Sequence, residues 1–303
     1  MSSKNTLEKQ SNSPIPWEQI EKNLGALVPV SGGHSEARRG IVTVFGGKKI
    51  FVKIGGNERT RDRAAKEITS YAFLKECGYP FIPKVLSTKP DQTGFALEAL
   101  LPEDGWDWSS AWTKDRLDTT LKAMDALAAI KPDAKHAEQF KPVITDADNG
   151  WIKLVASPER QTFLVEKLRT ESNATILDSL TDHAEIASRF KVRHDALVHN
   201  DVRADNCAWN KEKGEVRLID WDWLELGDRR IDLAAFLVHV EQSGFDALAE
   251  YSKMLDAEAL HWLAGFWFYA ASSPMWPGGH EKLRDFQLRS GLMALKLSEE
   301  VAH

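Results

Sequence analysis

Residues His199 to Asp222 read HNDVRADNCAWNKEKGEVRLIDWD, and the rest of the chain is organised around them. The first half places His199, Asp201 and Asn206 at a His-x-Asp-x4-Asn spacing. The second ends on Leu218-Ile219-Asp220-Trp221-Asp222, with Lys211-Glu212-Lys213-Gly214 between. Runs 207–210 and 215–219 are short, partly apolar and joined by a Gly-containing turn, which predicts an antiparallel hairpin. With the turn centred near Lys213, facing residue numbers sum to a constant, so Asn206 is expected opposite Asp220 at the open end. A carboxylate beside a carboxamide is a hard-oxygen pair suited to Mg²⁺. Asp201, on the preceding loop, would then reach a hydroxyl beside that ion.

An Asp, an Asn and a second Asp in this order are how kinases of the protein-kinase fold divide the work of base and metal ligands. On the Asp201–Asn206 and Ile219–Asp222 segments the chain resembles the aminoglycoside phosphotransferase and choline kinase family, small-molecule kinases related to protein kinases. The resemblance implies an α+β, protein-kinase-like bilobal fold, with a small, mostly antiparallel N-lobe carrying one long helix and a larger, mainly helical C-lobe. It implies ATP and Mg²⁺ as cofactors and a small alcohol as acceptor. Taken singly, each of the four residues reads as a polar turn or a strand end; their joint spacing carries the reading.

Bulk properties set the bounds. A chain of 303 residues with 43% hydrophobic content suits a globular protein of two sub-domains. The expected division is a mobile tail over 1–14, a nucleotide-binding N-lobe over 15–101 and a C-lobe over 102–303. Thirty-nine basic against 45 acidic residues, with no basic stripe, argue against a nucleic-acid partner. Cys77 and Cys207 fit no disulfide framework or metal spacing, and no apolar run is long enough to span a bilayer. A polar amino terminus without an apolar core points away from a signal peptide, so the cytoplasm is the expected compartment. Oligomeric state is not legible.

Taken in order, 17–24 predicts a short helix, and the runs 41–45 and 49–54 predict strands joined at Gly46-Gly47. Pairing across that turn puts Lys53 near Gly40, beneath the small-residue loop Ser31-Gly32-Gly33-His34-Ser35. That loop is no Walker motif; the resemblance, in which relatives carry Gly-Gly-x-Ser here, makes Ser31, Gly32, Gly33 and Ser35 nucleotide contacts. Residues 58–77 read as a helix stopped by Gly78 and Pro80, with Ala64, Ile68, Tyr71 and Leu74 inward and Glu67 on the border. A carboxylate there needs a cation, and the Lys53 to Glu67 pair of the kinase fold meets that need; Glu58 and Glu76 rank lower. Segments 84–86 and 94–101 predict a strand pair. By resemblance their exit is the hinge, with Glu98 to Leu100 meeting adenine through main chain. Helices are predicted over 115–130, 157–177, 178–189, 231–242, 245–254, 257–271 and 280–297, with a strand at 196–199.

The resemblance casts Asp201 as base, Asn206 and Asp220 as metal ligands and Lys53 as a phosphate partner. Two roles are open to Arg203, steadying the transferred group or pairing with Asp205 or Asp222, and two to Asp222, supporting the metal or capping the hairpin. His199 reads as a loop brace. Asp232, in a Gly-Asp-x-x-x-Asp-Leu-Ala segment, reads as a structural carboxylate tied to the catalytic loop. Asp232 follows Asp220 by only twelve positions, leaving no room for an activation segment, so the acceptor is expected in a pocket among helices. Eleven tryptophans could suggest a cation-π box, but Trp262 and Trp267 sit in an apolar helix where core packing is the default. Where many relatives have Gly before the base and Pro-Gly before the Asn, this chain has Asn200, Ala204 and Asp205. The departures remove no catalytic group, so activity stays the expectation, and they weaken the case for the narrower aminoglycoside-resistance branch. The rival reading is a silent nucleotide-binding pseudokinase or scaffold.

Overall fold

Alternating apolar residues in the first third and helical periodicity thereafter give two kinds of element. In the structure, a computed structural model describing residues 15–30, 36–169, 176, 178–274 and 282–302, the order is as follows. Helix α1 (Trp17–Asn23) precedes β1 (Val28–Pro29), β2 (Arg38–Thr43) and β3 (Lys49–Ile54); α2 (Glu58–Glu76) precedes β4 (Val85–Thr88), β5 (Gly94–Glu98) and β6 (Trp106–Asp107). Then come α3 (Lys114–Ala128), α4 (Ala134–Gln139), α5 (Gly150–Val155), α6 (Pro158–Arg169), α7 (Leu180–Arg189), β7 (Ala196–Val198), β8 (Cys207–Asn210), β9 (Glu215–Leu218) and β10 (Glu225–Gly227). Helices α8 (Arg229–Gln242), α9 (Ala247–Tyr251), α10 (Ala257–Ala271) and α11 (Lys282–Val301) complete the chain. The expected tail and the Ser31, Gly32, Gly33 and Ser35 loop lie outside the described residues.

The chain divides into two compact units, one running to Asp107 and joined by Ala208–Asp222, the other made of Trp108–Cys207 and the residues from Trp223 on. In the first, a five-stranded sheet has the order β1-β2-β3-β5-β4, and its described pairings are antiparallel. Trp17 and Ile20 of α1 pack with Val42, Ile50, Val52, Leu86 and Ala96 as an apolar core. The β2–β3 connection is longer than a two-residue turn. Val44 N–H donates to the Lys48 carbonyl at 2.9 Å, and Gly46 and Gly47 hold φ of +80° and +76°. Lys53 therefore faces Arg39, one place from the expected Gly40, and β2 runs Arg38–Thr43 instead of 41–45.

Helix α2 begins at a reciprocal cap between Asn57 and Thr60 and ends before Gly78 at φ +69°. Thr60, Ala64, Glu67, Tyr71 and Leu74 are buried along one face, while Ile68 is half-buried. Strand β5 stops at Glu98, where a Pro102–Asp104 turn follows shortly.

In the second unit, Trp151, Leu154, Leu164, Leu260, Phe268 and Leu297 belong to one core formed by α5, α6, α10 and α11. Trp262 and Trp267 lie within it, so packing is their role here. Helices α4 and α5 and the short β10 were not expected; at six and three residues they are too brief for periodicity to register. The predicted helix over 245–254 is a single turn of α-helix, Ala247–Tyr251, continued as 3₁₀ over Ser252–Met254. Among the described residues no helix is long and apolar enough to cross a membrane.

Candidate active site

In the first unit, β3 alternates its side chains: Ile50 and Val52 enter the core, and Lys53 turns to the other face. There it pairs with Glu67 of α2 and, at 2.6 Å, with Asp220. Glu67 is 1% exposed, so the helical period that buried Ala64 and Tyr71 also delivers a carboxylate to the lysine. Burial alone would drive the proton off Lys53, but Glu67 and Asp220 more than offset it, and its pKa lies above the ordinary lysine value. Burial pushes Glu67 up to about 8, with Asp220 and Asp222 adding to the rise and Lys53 opposing it.

Asp222 is pushed up to about 6, by burial first and Asp220 second, against the nearby Arg63, whose Nε lies 3.3 Å away. Lys53 and Lys66 also oppose the rise at Asp222, so the three carboxyls of this cluster are answered by as many cations. Trp221 anchors the segment: it is fully buried, its Nε1 donates to the Leu218 carbonyl at 2.8 Å, and its carbonyl accepts from Ser70 Oγ at 2.9 Å. Asp220, between that anchor and β9, holds left-handed backbone at φ +68°.

In the second unit, β7 pairs antiparallel with β10 and delivers a fully buried His199 to the loop that follows. His199 Nδ1 accepts from the Asp201 N–H at 3.3 Å, a brace within the loop. Asn200 turns left-handed at φ +61°, the conformation for which glycine is the default residue. Its N–H donates to Asp232 at 2.8 Å and its side chain to Glu225 at 2.8 Å. Asp232 therefore ties the loop to α8, and Asp228 caps that helix on the Arg230 N–H.

Asp201 is held from two sides. Asn206 Nδ2 donates to its carboxylate at 2.8 Å and to its carbonyl at 2.9 Å, and Arg203 Nε stands 3.2 Å from the carboxylate. Arg203 also pairs with Asp205 at 3.1 Å. With Nδ2 so engaged, the Asn206 amide keeps its Oδ1 as the acceptor. An amide oxygen and the Asp220 carboxylate are the hard donors Mg²⁺ requires, so the residue types fit the metal. Neither is a ladder residue: Asn206 closes a 3₁₀ turn before β8, and Asp220 lies past the end of β9 at Leu218. The hairpin register invoked to pair them therefore does not reach them: β8 begins at Cys207, as the run 207–210 suggested, and β9 ends one residue short of the run 215–219.

Glu98 accepts from the Lys84 N–H at 2.8 Å and gives its own N–H to the Lys84 carbonyl at 2.9 Å, within the sheet. Leu100 is buried just beyond. Sequence reasoning passed over Arg63 and Glu225. Arg63 carried a faint signal, lying one helical turn before Glu67; Glu225, 2% exposed, carried none.

Comparison with known proteins agrees with this architecture. The crystal structure of the choline kinase LicA from Streptococcus pneumoniae superimposes with a TM-score of 0.54 at 15% identity, covering 94% of this chain and 97% of that one. The streptomycin–ATP–APH(2")-IIa ternary complex gives 0.53 at 16%, covering 91% and 94%, and the gentamicin–APH(2")-IIa complex gives 0.54 at 17%, covering 92% and 94%. These likenesses show the protein-kinase-like fold. The family model described as the phosphotransferase enzyme family (APH) matches residues 26–266, and the chain belongs to that family.

Proposed function

We propose that this phosphotransferase moves the γ-phosphoryl group of ATP to a hydroxyl of a small molecule. The observation that carries the reading is Lys53, a buried ammonium fixed between Glu67 and Asp220. Burying a cation and the Glu67 carboxylate, with the partly exposed Asp220 beside them, costs more than an apolar cluster would, and the cost is understandable where the ammonium must be held ready for phosphate oxygens.

Asp201 would accept the acceptor's proton as the oxygen–phosphorus bond forms and the bond to the leaving ADP oxygen breaks. Asn206 and Asp220 would hold Mg²⁺. When bound, that ion supplies charge neutralisation for the phosphate oxygens. Arg203, already against Asp201, would orient the base. The hinge main chain around Glu98 and Leu100 would receive the adenine. Acceptors of the amino-sugar and amino-alcohol classes are the ones to screen first, since the structural relatives include streptomycin and gentamicin complexes and a choline kinase.

Replacing Asp220 with Ala should abolish Mg²⁺-dependent nucleotide binding, whereas Asp222→Ala should retain it. Titration calorimetry with Mg·ATP reads the difference, and equal binding by both variants would remove Asp220 as the ligand.

A further inference from the structure

The only fully buried arginine among the described residues is Arg116, near the start of α3, and the catalytic mechanism above makes no use of it. Its surroundings are unusual for a charge. Among the described residues no carboxylate lies within ion-pair distance; instead the guanidinium donates to main-chain carbonyls. Nη1 bonds Ser109 at 2.8 Å and Ala111 at 2.9 Å, and Nη2 bonds Ala204 at 3.2 Å and Cys207 at 2.6 Å. The Trp112 ring covers it, with Cζ 4.3 Å from the centroid. A charge taken wholly from water with only carbonyl dipoles in return is costly, and a lysine cannot present two parallel pairs of donors.

The last two acceptors locate the consequence. Ala204 and Cys207 bracket the 3₁₀ turn that ends in Asn206, and the Ala204 carbonyl also accepts the Cys207 N–H that closes the turn. Asn206 is thus held at its amide by Asp201, while Arg116 holds the Ala204 and Cys207 carbonyls of the turn around it. We propose that Arg116 is a positioning residue for metal binding: its planar fork fixes the Ala204–Cys207 turn so that the Asn206 amide oxygen is presented to the divalent cation. This rests on the phosphotransferase reading, in which Asn206 is a metal ligand. Partners that orient a ligand from behind are worth roughly ten- to a hundredfold in metal affinity.

The test uses Mn²⁺ in place of Mg²⁺, with bound metal measured by electron paramagnetic resonance on the full chain with a non-hydrolysable ATP analogue. Arg116→Gln should weaken Mn²⁺ binding by about tenfold or more. Arg116→Lys, which keeps the charge but can serve fewer carbonyls, should fall between that variant and the wild type. Nucleotide affinity without metal should stay within about twofold in both, and circular dichroism should match the wild type. A folded Arg116→Lys or Arg116→Gln protein that binds Mn²⁺ like the wild type overturns the proposal alone. A wild type that binds no Mn²⁺ with the analogue overturns the phosphotransferase reading, and this proposal with it.

Discussion

Asn200 and Asp220 each hold left-handed backbone, φ +61° and +68°, directly beside or at a residue assigned chemistry. Outside glycine this conformation costs about 1 kcal/mol, and asparagine and aspartate tolerate it best. Asn200→Gly should therefore keep the loop conformation and lose the bond to Glu225, whereas Asn200→Ala loses the bond and adds strain. Denaturant melts should show Ala less stable than Gly by about 1 kcal/mol. Lys53→Ala leaves Glu67 buried and unpaired, which should lower stability by roughly 3 kcal/mol and remove nucleotide binding. Glu225 supplies a pH signature. Burial pushes its carboxyl from 4.5 up to about 7, against hydrogen bonds from Val143, Asn200 and Ile144. A raised folded pKa means the native state binds the extra proton, so this stabilisation is complete below pH 4.5 and is lost as pH rises through 7. Relative to Glu225→Gln, the wild type should lose up to about 3 kcal/mol between pH 5 and pH 8. A constant difference across that range would contradict the assignment.

At the scale of elements, α5 and α10 approach through Gly150 and Gly265. A methyl on Gly150 would strike the Gly265 carbonyl, and one on Gly265 would strike the Trp151 ring, which is fully buried. Gly265→Ala should cost about 1–3 kcal/mol by overpacking, read as a fall in the midpoint of thermal unfolding. Long elements such as α2, α3, α8 and α10 were legible because periodicity and stops such as Gly78 agree over many residues. Periodicity also showed that a carboxylate bordering an apolar face demands a cation, whereas Lys53 as the partner of Glu67 came from the resemblance to the kinase fold. The β2–β3 register missed by one because a 3₁₀ turn lengthens the connection, which composition does not reveal. Arg116 was invisible: in sequence, an arginine in a first helical turn reads as solvated, and only the fold shows carbonyls around it.

At the scale of the whole molecule, the family is carried by the match over residues 26–266, and the proposed chemistry rests on polar side chains that each unit fixes internally. Lys53, Glu67 and Asp220 form one such group, and Asp201, Arg203 and Asn206 the other. In the proposed reaction both groups act together, and the decisive experiment is transfer of labelled phosphate from γ-³²P-ATP to a panel of amino-sugars and amino-alcohols, with wild type and Asp201→Asn run in parallel. The account predicts label on an acceptor hydroxyl with the wild type and a rate lower by about 10²- to 10⁴-fold in the variant, at nearly unchanged Mg·ATP affinity. Equal transfer by the two proteins, or no labelled acceptor with either, would contradict it.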